Sequence, residues 1–281
     1  MDEKQLVKSA LKLGVPGNVV FHAVRTSRIM REPGDFLSRR SQARRINATS
    51  RYADFIDKAK GYRIFGPDTF PGIMEAVNAA REIFEAKAVN LSNAKKAFFF
   101  NVLEEPDLER YPELLGIAHT EPFTAAATGY LETMPDLSGI GLFYSPANTS
   151  TEKSQQYHTD DIDCRQVKCF INVNDVGPDN GPFTFIPADV SDRIRRRLGH
   201  RWRGPRLTDE QVLTHCKPED AVSLIGPPGS CVFVDTSRCL HYGSRCRAGH
   251  RLVIMFQYTR RPKLSFEVSD QRTGRTMIID H

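Results

Sequence analysis

Gln166-Val167-Lys168-Cys169-Phe170-Ile171-Asn172-Val173 reads as a short β-strand, and it belongs to a series. Beyond Leu137, four further runs, 141–144, 182–186, 230–235 and 252–258, are rich in β-branched and aromatic residues. Turn residues punctuate them at Pro178-Asp179-Asn180-Gly181 and at Pro227-Pro228-Gly229. The tail continues the pattern, with 264–268 and 276–279 flanking Thr273-Gly274 as a hairpin.

Upstream of residue 138 the texture is helical. Residues 71–88 (PGIMEAVNAAREIFEAKA) place Ile73, Ala76, Val77, Ala80, Ile83 and Phe84 at three-and-four spacing, and Pro71 suits a first helical turn. The same periodicity predicts helices over 52–59 and 122–134, with a short strand at 61–65 between the first two helices. Helices first and antiparallel strands second predict an α+β, mainly β chain, a β-sandwich or barrel with helices packed against one sheet. A basic N-terminal extension, 1–54, partly helical and too poorly periodic to place, precedes a single domain over 55–281. That domain divides into a helical buttress (55–137), a strand core (138–262) and the C-terminal hairpin (263–281).

Composition agrees with a soluble globular chain. Its 281 residues are 40% hydrophobic and 26% charged, which excludes collagen, coiled-coil arrays and wholesale disorder. No window supplies the roughly 18 apolar residues of a membrane span, and the first thirty residues lack the apolar core of a signal peptide, so a cytoplasmic setting is expected. The net charge of +5 is uneven: 1–60 holds thirteen Lys/Arg against six Asp/Glu, leaving the remainder slightly acidic. A second basic cluster, Arg193, Arg195, Arg196, Arg197, Arg201, Arg203 and Arg206, lacks the interleaved aromatics of a nucleic-acid groove. A solvated helix face or loop is the plainer account of it, and no nucleic-acid partner is expected. The six cysteines form no C-x-x-C pair and are expected as reduced thiols, several of them buried.

His158-Thr159-Asp160 is the chain's one H-x-D. On a strand, residues two apart share a face and grip one ion from one side. His119-Thr120-Glu121 has the same spacing in a helical context, where two residues subtend about 200° and chelation fails. A third ligand is expected from His241, shortly after the 230–235 strand. Two imidazoles and one carboxylate suit Fe(II) handling oxygen, while zinc could use the same trio for hydrolysis. Arg251, opening the 252–258 strand, would face a carboxylate or water. Taken singly, each residue has a plain structural account: a strand histidine, a turn aspartate beside Asp161 and Asp163, a loop histidine, a strand-end charge. Their joint order, His-x-Asp, about 80 residues of strands, His, then Arg ten later, is far harder to produce by accident.

In this order the motifs resemble the phytanoyl-CoA dioxygenase (PhyH-like) family of Fe(II)/2-oxoglutarate-dependent oxygenases, over roughly residues 55–262. The likeness rests on 61–65 with the helix after it, on Gln156-Tyr157-His158-Thr159-Asp160, on Asp179-Asn180-Gly181-Pro182 through Ile186-Pro187, and on 229–241. The resemblance implies a double-stranded β-helix, or jelly roll, with helices buttressing one sheet. It further implies His158, Asp160 and His241 as iron ligands, Arg251 as partner of the distal carboxylate of 2-oxoglutarate, and Phe170 as an aromatic beside that cosubstrate. The implied activity consumes O2 and 2-oxoglutarate, releases succinate and CO2, and oxidises, by hydroxylation, an unactivated C–H of a small molecule. Asp160 separates the chain from halogenating relatives, which lack the carboxylate ligand. Desaturation, epoxidation and ring closure stay open, as do two readings from other classes: a non-catalytic jelly-roll protein with a basic face for a polyanion, and a zinc hydrolase. Many relatives carry a hydroxyl two residues after the distal histidine, where this chain has Gly243. The Arg-rich regions suggest an anionic or carrier-linked substrate, and the oligomeric state is not legible.

Overall fold

A computed structural model describes residues 9–10, 12–87, 98–163, 165–200, 204–260, 265–269 and 276–280. The larger of its two sheets runs in the order β1 (Tyr62–Phe65), β7 (Cys231–Val234), β4 (Gln166–Asn172), β9 (His250–Thr259) and β3 (Asp136–Pro146). Beyond β3 it continues into β10 (Ser265–Ser269) and β11 (Thr276–Asp280), and the two-residue β2 (Phe100–Asn101) also pairs with β3. The first five strands pair antiparallel. So do β10 and β11, while the turn at Thr273-Gly274 lies outside the described residues. The smaller sheet has the order β6 (Val222–Ser223), β5 (Thr184–Phe185) and β8 (His241–Tyr242). An antiparallel bridge extends it from His241 to His158, and a second joins Tyr157 to Leu207. Strands from 136 to 259 are thus shared between two facing sheets, and the fold is a jelly roll with helices against the larger sheet.

Alternation explains which side chains go where. Leu252, Ile254, Phe256 and Tyr258 of β9, with Val167, Cys169 and Ile171 of β4, point away from the smaller sheet into the main core. They meet α3 (Ile73–Lys87) and α4 (Glu121–Leu131), whose apolar stripes are the ones read from sequence. Gly129 marks where α4 touches the preceding chain, since a Cβ there would lie 1.8 Å from the Ala53 carbonyl oxygen. Between the sheets a smaller cluster joins Phe183 and Phe185 to Val232, Val234, Tyr62 and Phe170.

The N-terminal segment folds as α1 (Gly17–Arg31) and α2 (Pro33–Thr49), which local periodicity did not reveal. Ala43 is the buried residue of α2, and a polar anchor holds the helix: Arg39 donates to the Met134 carbonyl at 2.7 Å and pairs with Asp136 at 2.6 Å. The helix expected over 52–59 is absent. Asp57 accepts the backbone N–H groups of Ala59 and Lys60, and Gly61, at φ 74°, leads into β1, so local side-chain hydrogen bonds replace the helical ladder.

Arg193, Arg195, Arg196 and Arg197 end α5 (Ala188–Arg197), where cations meet the negative end of the helix dipole, while Arg201 and Arg203 lie outside the described residues. Arg193, Arg195 and Arg196 line an open groove of about 820 Å³ with His200 and Arg238. Asp192, 3.0 Å from Arg238 and 3.9 Å from Arg195, offsets part of that charge. Among the described residues, no helix is long and apolar enough to cross a membrane.

Candidate metal centre

The bridge between His158 and His241 is a pair of backbone hydrogen bonds, His158 N–H to His241 O at 3.0 Å and the reverse at 2.9 Å. It sets the two imidazoles side by side, ring centroids 4.3 Å apart. Each ring is oriented by a backbone carbonyl two residues before it: His158 Nδ1 on Gln156 O at 2.8 Å, His241 Nδ1 on Cys239 O at 3.0 Å. With Nδ1 donating, each Nε2 keeps its lone pair, the tautomer a metal requires. Asp160 lies just past the bridge, its N–H held by Thr236 O at 2.8 Å, and its Oδ2 is 3.8 Å from His241 Nε2. One ligand atom from each of the three residues falls within 4.8 Å of the others, the arrangement expected from the H-x-D spacing and the later histidine.

Burial keeps both imidazoles neutral. It pushes His241 down to about 3, aided by the neighbouring His158, and lowers His158 against the pull of Asp160. Burial alone would favour the protonated form of Asp160, yet the Lys168 ammonium, 2.8 Å from Oδ2, holds its carboxyl well below the usual carboxylate range. Two neutral imidazoles and one ionised carboxylate therefore converge on one point. That donor set fits a divalent transition ion with further positions open.

Arg251 is 3% exposed, paired with Ser145 across β3 and β9. Its Nη2 donates to Ser244 Oγ at 3.0 Å, and Ser145 Oγ is 3.0 Å from the same hydroxyl. Nε and Nη1 of Arg251 are buried without a partner among the described residues, and burial lowers the group to about 10. A buried guanidinium with two orphan donors is costly unless an anion meets it, and a carboxylate matches that fork. Phe170 faces the interior from β4 and stacks on Phe183 at 4.2 Å, whose ring lies 5.5 Å from His241.

Two residues that sequence reading passed over complete the surroundings. Gln166 Nε2 donates to Asp160 Oδ2 at 3.2 Å and to Thr236 Oγ1 at 2.7 Å, tying the carboxylate to the chain before His241. Lys168 Nζ lies 2.8 Å from Asp160 Oδ2. The available signal was strand alternation, which puts Gln166 and Lys168 on the face opposite Val167, Cys169 and Ile171.

No protein-family model matches the sequence, and no curated protein does. Solved structures share the fold. EctD from S. alaskensis with 2-oxoglutarate and 5-hydroxyectoine superposes with a TM-score of 0.52 at 16% identity, covering 75% of this chain and 76% of that one. The same enzyme with bound Fe gives a TM-score of 0.51 at 17% identity, with the same coverage. At such identity the likeness extends to the jelly-roll architecture.

Proposed function

We propose that this chain is an Fe(II)/2-oxoglutarate-dependent oxygenase of the PhyH-like type, acting by hydroxylation on an unactivated C–H of a small molecule. The observation that carries the reading is the convergence of His158, Asp160 and His241 in the same barrel as a buried Arg251 with two unmet donors. His158 and His241 would each offer Nε2, and Asp160 one carboxylate oxygen. Iron held by these three residues would supply O2 activation: O2 is the oxidant, one of its atoms ending in succinate as 2-oxoglutarate loses CO2 and the other on the substrate carbon. Arg251 would pair through Nε and Nη1 with the distal carboxylate of 2-oxoglutarate, its guanidinium steadied by Ser244. Phe170 and Phe183 keep water from the flank of His241. EctD, which shares the architecture, has been crystallised with 2-oxoglutarate and, in a separate structure, with Fe, and that supports this reading over a zinc hydrolase.

The test is metal-dependent decarboxylation. Purified protein given Fe(II), O2 and 2-oxoglutarate should form succinate, and Asp160→Ala should lower this to the uncatalysed level while the circular dichroism spectrum is unchanged. Full turnover in that variant, or stoichiometric zinc with activity retained without O2, would overturn the assignment.

A further inference from the structure

The inward face of the larger sheet is ordered in rows that the strand register fixes. Lys168 of β4 sits directly across from Gln257 of β9, and Gln257 across from Gly139 of β3. The next row is Phe170, Met255 and Gly141. Arg251 lies six residues from Gln257 along β9, about 20 Å at strand rise, so Lys168 and Arg251 project from opposite ends of this face.

Lys168 points inward, against the ordinary preference of lysine for solvent. Its side chain is 15% exposed, and its ion-pair partner among the described residues is Asp160. If Asp160 serves a divalent ion, one carboxylate faces two cations, and Arg206 adds positive potential at His158. An ammonium beside a cationic metal centre, shielded from water, calls for a further anion. The row around it is only lightly filled. Gly139 contributes no side chain, and a Cβ there would meet only Gln257, at 3.6 Å and 3.9 Å. Gln257 Nε2 donates one hydrogen to Ser138 Oγ at 3.0 Å and retains a second. The adjoining row is apolar: the Phe143 ring occupies the space over Gly141 and stacks on Phe99 at 4.7 Å, beside Met255.

Resting on the oxygenase reading, we propose that Lys168 anchors a carboxylate of the primary substrate, whose apolar body lies along Phe143 and Met255. The substrate class is then an amphiphilic acid, its carboxylate held near the metal centre by Lys168 with the Gln257 amide alongside. The cosubstrate's own carboxylate is the other source of the same chemistry, and the experiment separates the two.

Protein loaded with Fe(II) and 2-oxoglutarate under argon is titrated by calorimetry with phenylacetate and with phenylacetamide, which differ in charge on one skeleton. Phenylacetate should bind about tenfold more tightly than the amide, as a charge-assisted contact predicts. Lys168→Met should bring the two affinities together, Lys168→Arg should retain the difference, and neither should alter 2-oxoglutarate affinity. Equal binding of acid and amide by the unaltered protein, or a preference that survives in Lys168→Met, overturns the proposal. Weakened Fe(II) binding in Lys168→Met would make the lysine a positioning residue for Asp160, and weakened 2-oxoglutarate binding would give it to the cosubstrate; either outcome also overturns it. Failure of the oxygenase reading shows earlier, as failure of the unaltered protein to load Fe(II) and 2-oxoglutarate.

Discussion

The two faces of β4 and β9 come from alternating residues of the same two strands and do opposite things. Outward, Val167, Cys169, Ile171, Leu252, Ile254, Phe256 and Tyr258 are buried against α3 and α4. Inward, the same strands carry Gln166, Lys168, Asn172, Arg251 and Gln257 among a few apolar residues. Apolar burial at ~25 cal/mol per Å² makes the outward face the source of stability. The inward face places charge where water is scarce, and so it weakens the fold while preparing a site. If that division holds, outward substitutions unfold the protein and inward ones change its ligands, in some cases while raising its stability.

The largest effect is expected outward. Phe233 of β7 is fully buried, with Phe65, Phe70 and Phe123 around its ring at 5.1–6.0 Å. Phe233→Ala should cost about 3–5 kcal/mol in chemical denaturation, through lost transfer energy and the cavity left behind. A cost below about 1 kcal/mol would show that this face does not carry the stability.

Arg251→Met should give changes of opposite sign in two measurements. The 2-oxoglutarate KM should rise about 10–100-fold, the range for losing a charge-assisted pair worth about 1.5–3 kcal/mol. The melting temperature without ligands should rise, because a buried guanidinium with unmet Nε and Nη1 is replaced by an apolar chain of similar length. An unchanged KM would remove Arg251 from the site, and a lower melting temperature would mean that Ser244 and Ser145 already satisfy it.

The inward face should also make the metal-free protein acid-labile. His241 stays neutral in the fold down to about 3 but takes a proton near 6.5 when unfolded, so the unfolded chain binds more protons across that window. Stability is therefore full above about pH 6.5 and falls as the pH drops towards 3, by at most about 1.4 kcal/mol per unit for one group. Asp160, whose carboxyl is lowered, adds a loss in the same direction at still lower pH. Denaturation midpoints across this range should slope less in His241→Asn; an equal slope would place the acid sensitivity elsewhere.

Outward features were the more legible in sequence, because periodicity and turn residues are local signals. The helix at Ile73–Lys87 and the strands at Gln166–Asn172 and Cys231–Val234 lie within two residues of their expected bounds. β3 runs from Asp136 to Pro146, well beyond the expected 141–144, because Gly139 and Gly141 dilute its strand signal while pairing with β9 extends it. At the site, His158, Asp160 and His241 were readable from order and spacing, and the structure brings them together. Gln166, Lys168 and Ser244 were not readable. Their significance comes from which strands pair, and pairing across β4 and β9 joins positions nearly ninety residues apart. The N-terminal helices escaped for another reason: α2 is fixed by Arg39 on Asp136, a polar contact that leaves no periodic trace.

Gln166 lies where the two faces meet, and it should give the smallest effect. Its amide bridges Asp160 Oδ2 and Thr236 Oγ1, and its Oε1 accepts the Asp163 N–H at 3.3 Å. On the proposed reading it is a positioning residue, which would act on a bound metal through the carboxylate it orients. Gln166→Leu keeps the volume and removes the orientation, so Fe(II) affinity should fall about tenfold, the low end for such partners, with 2-oxoglutarate KM at saturating iron unchanged. Gln166→Glu, which keeps an acceptor for the Asp163 N–H but sets a second carboxylate beside Asp160, should raise the pH at which iron is released. A loss of melting temperature in Gln166→Leu with no change in iron affinity would assign the residue to the scaffold, and the boundary between the two faces would then fall at Lys168.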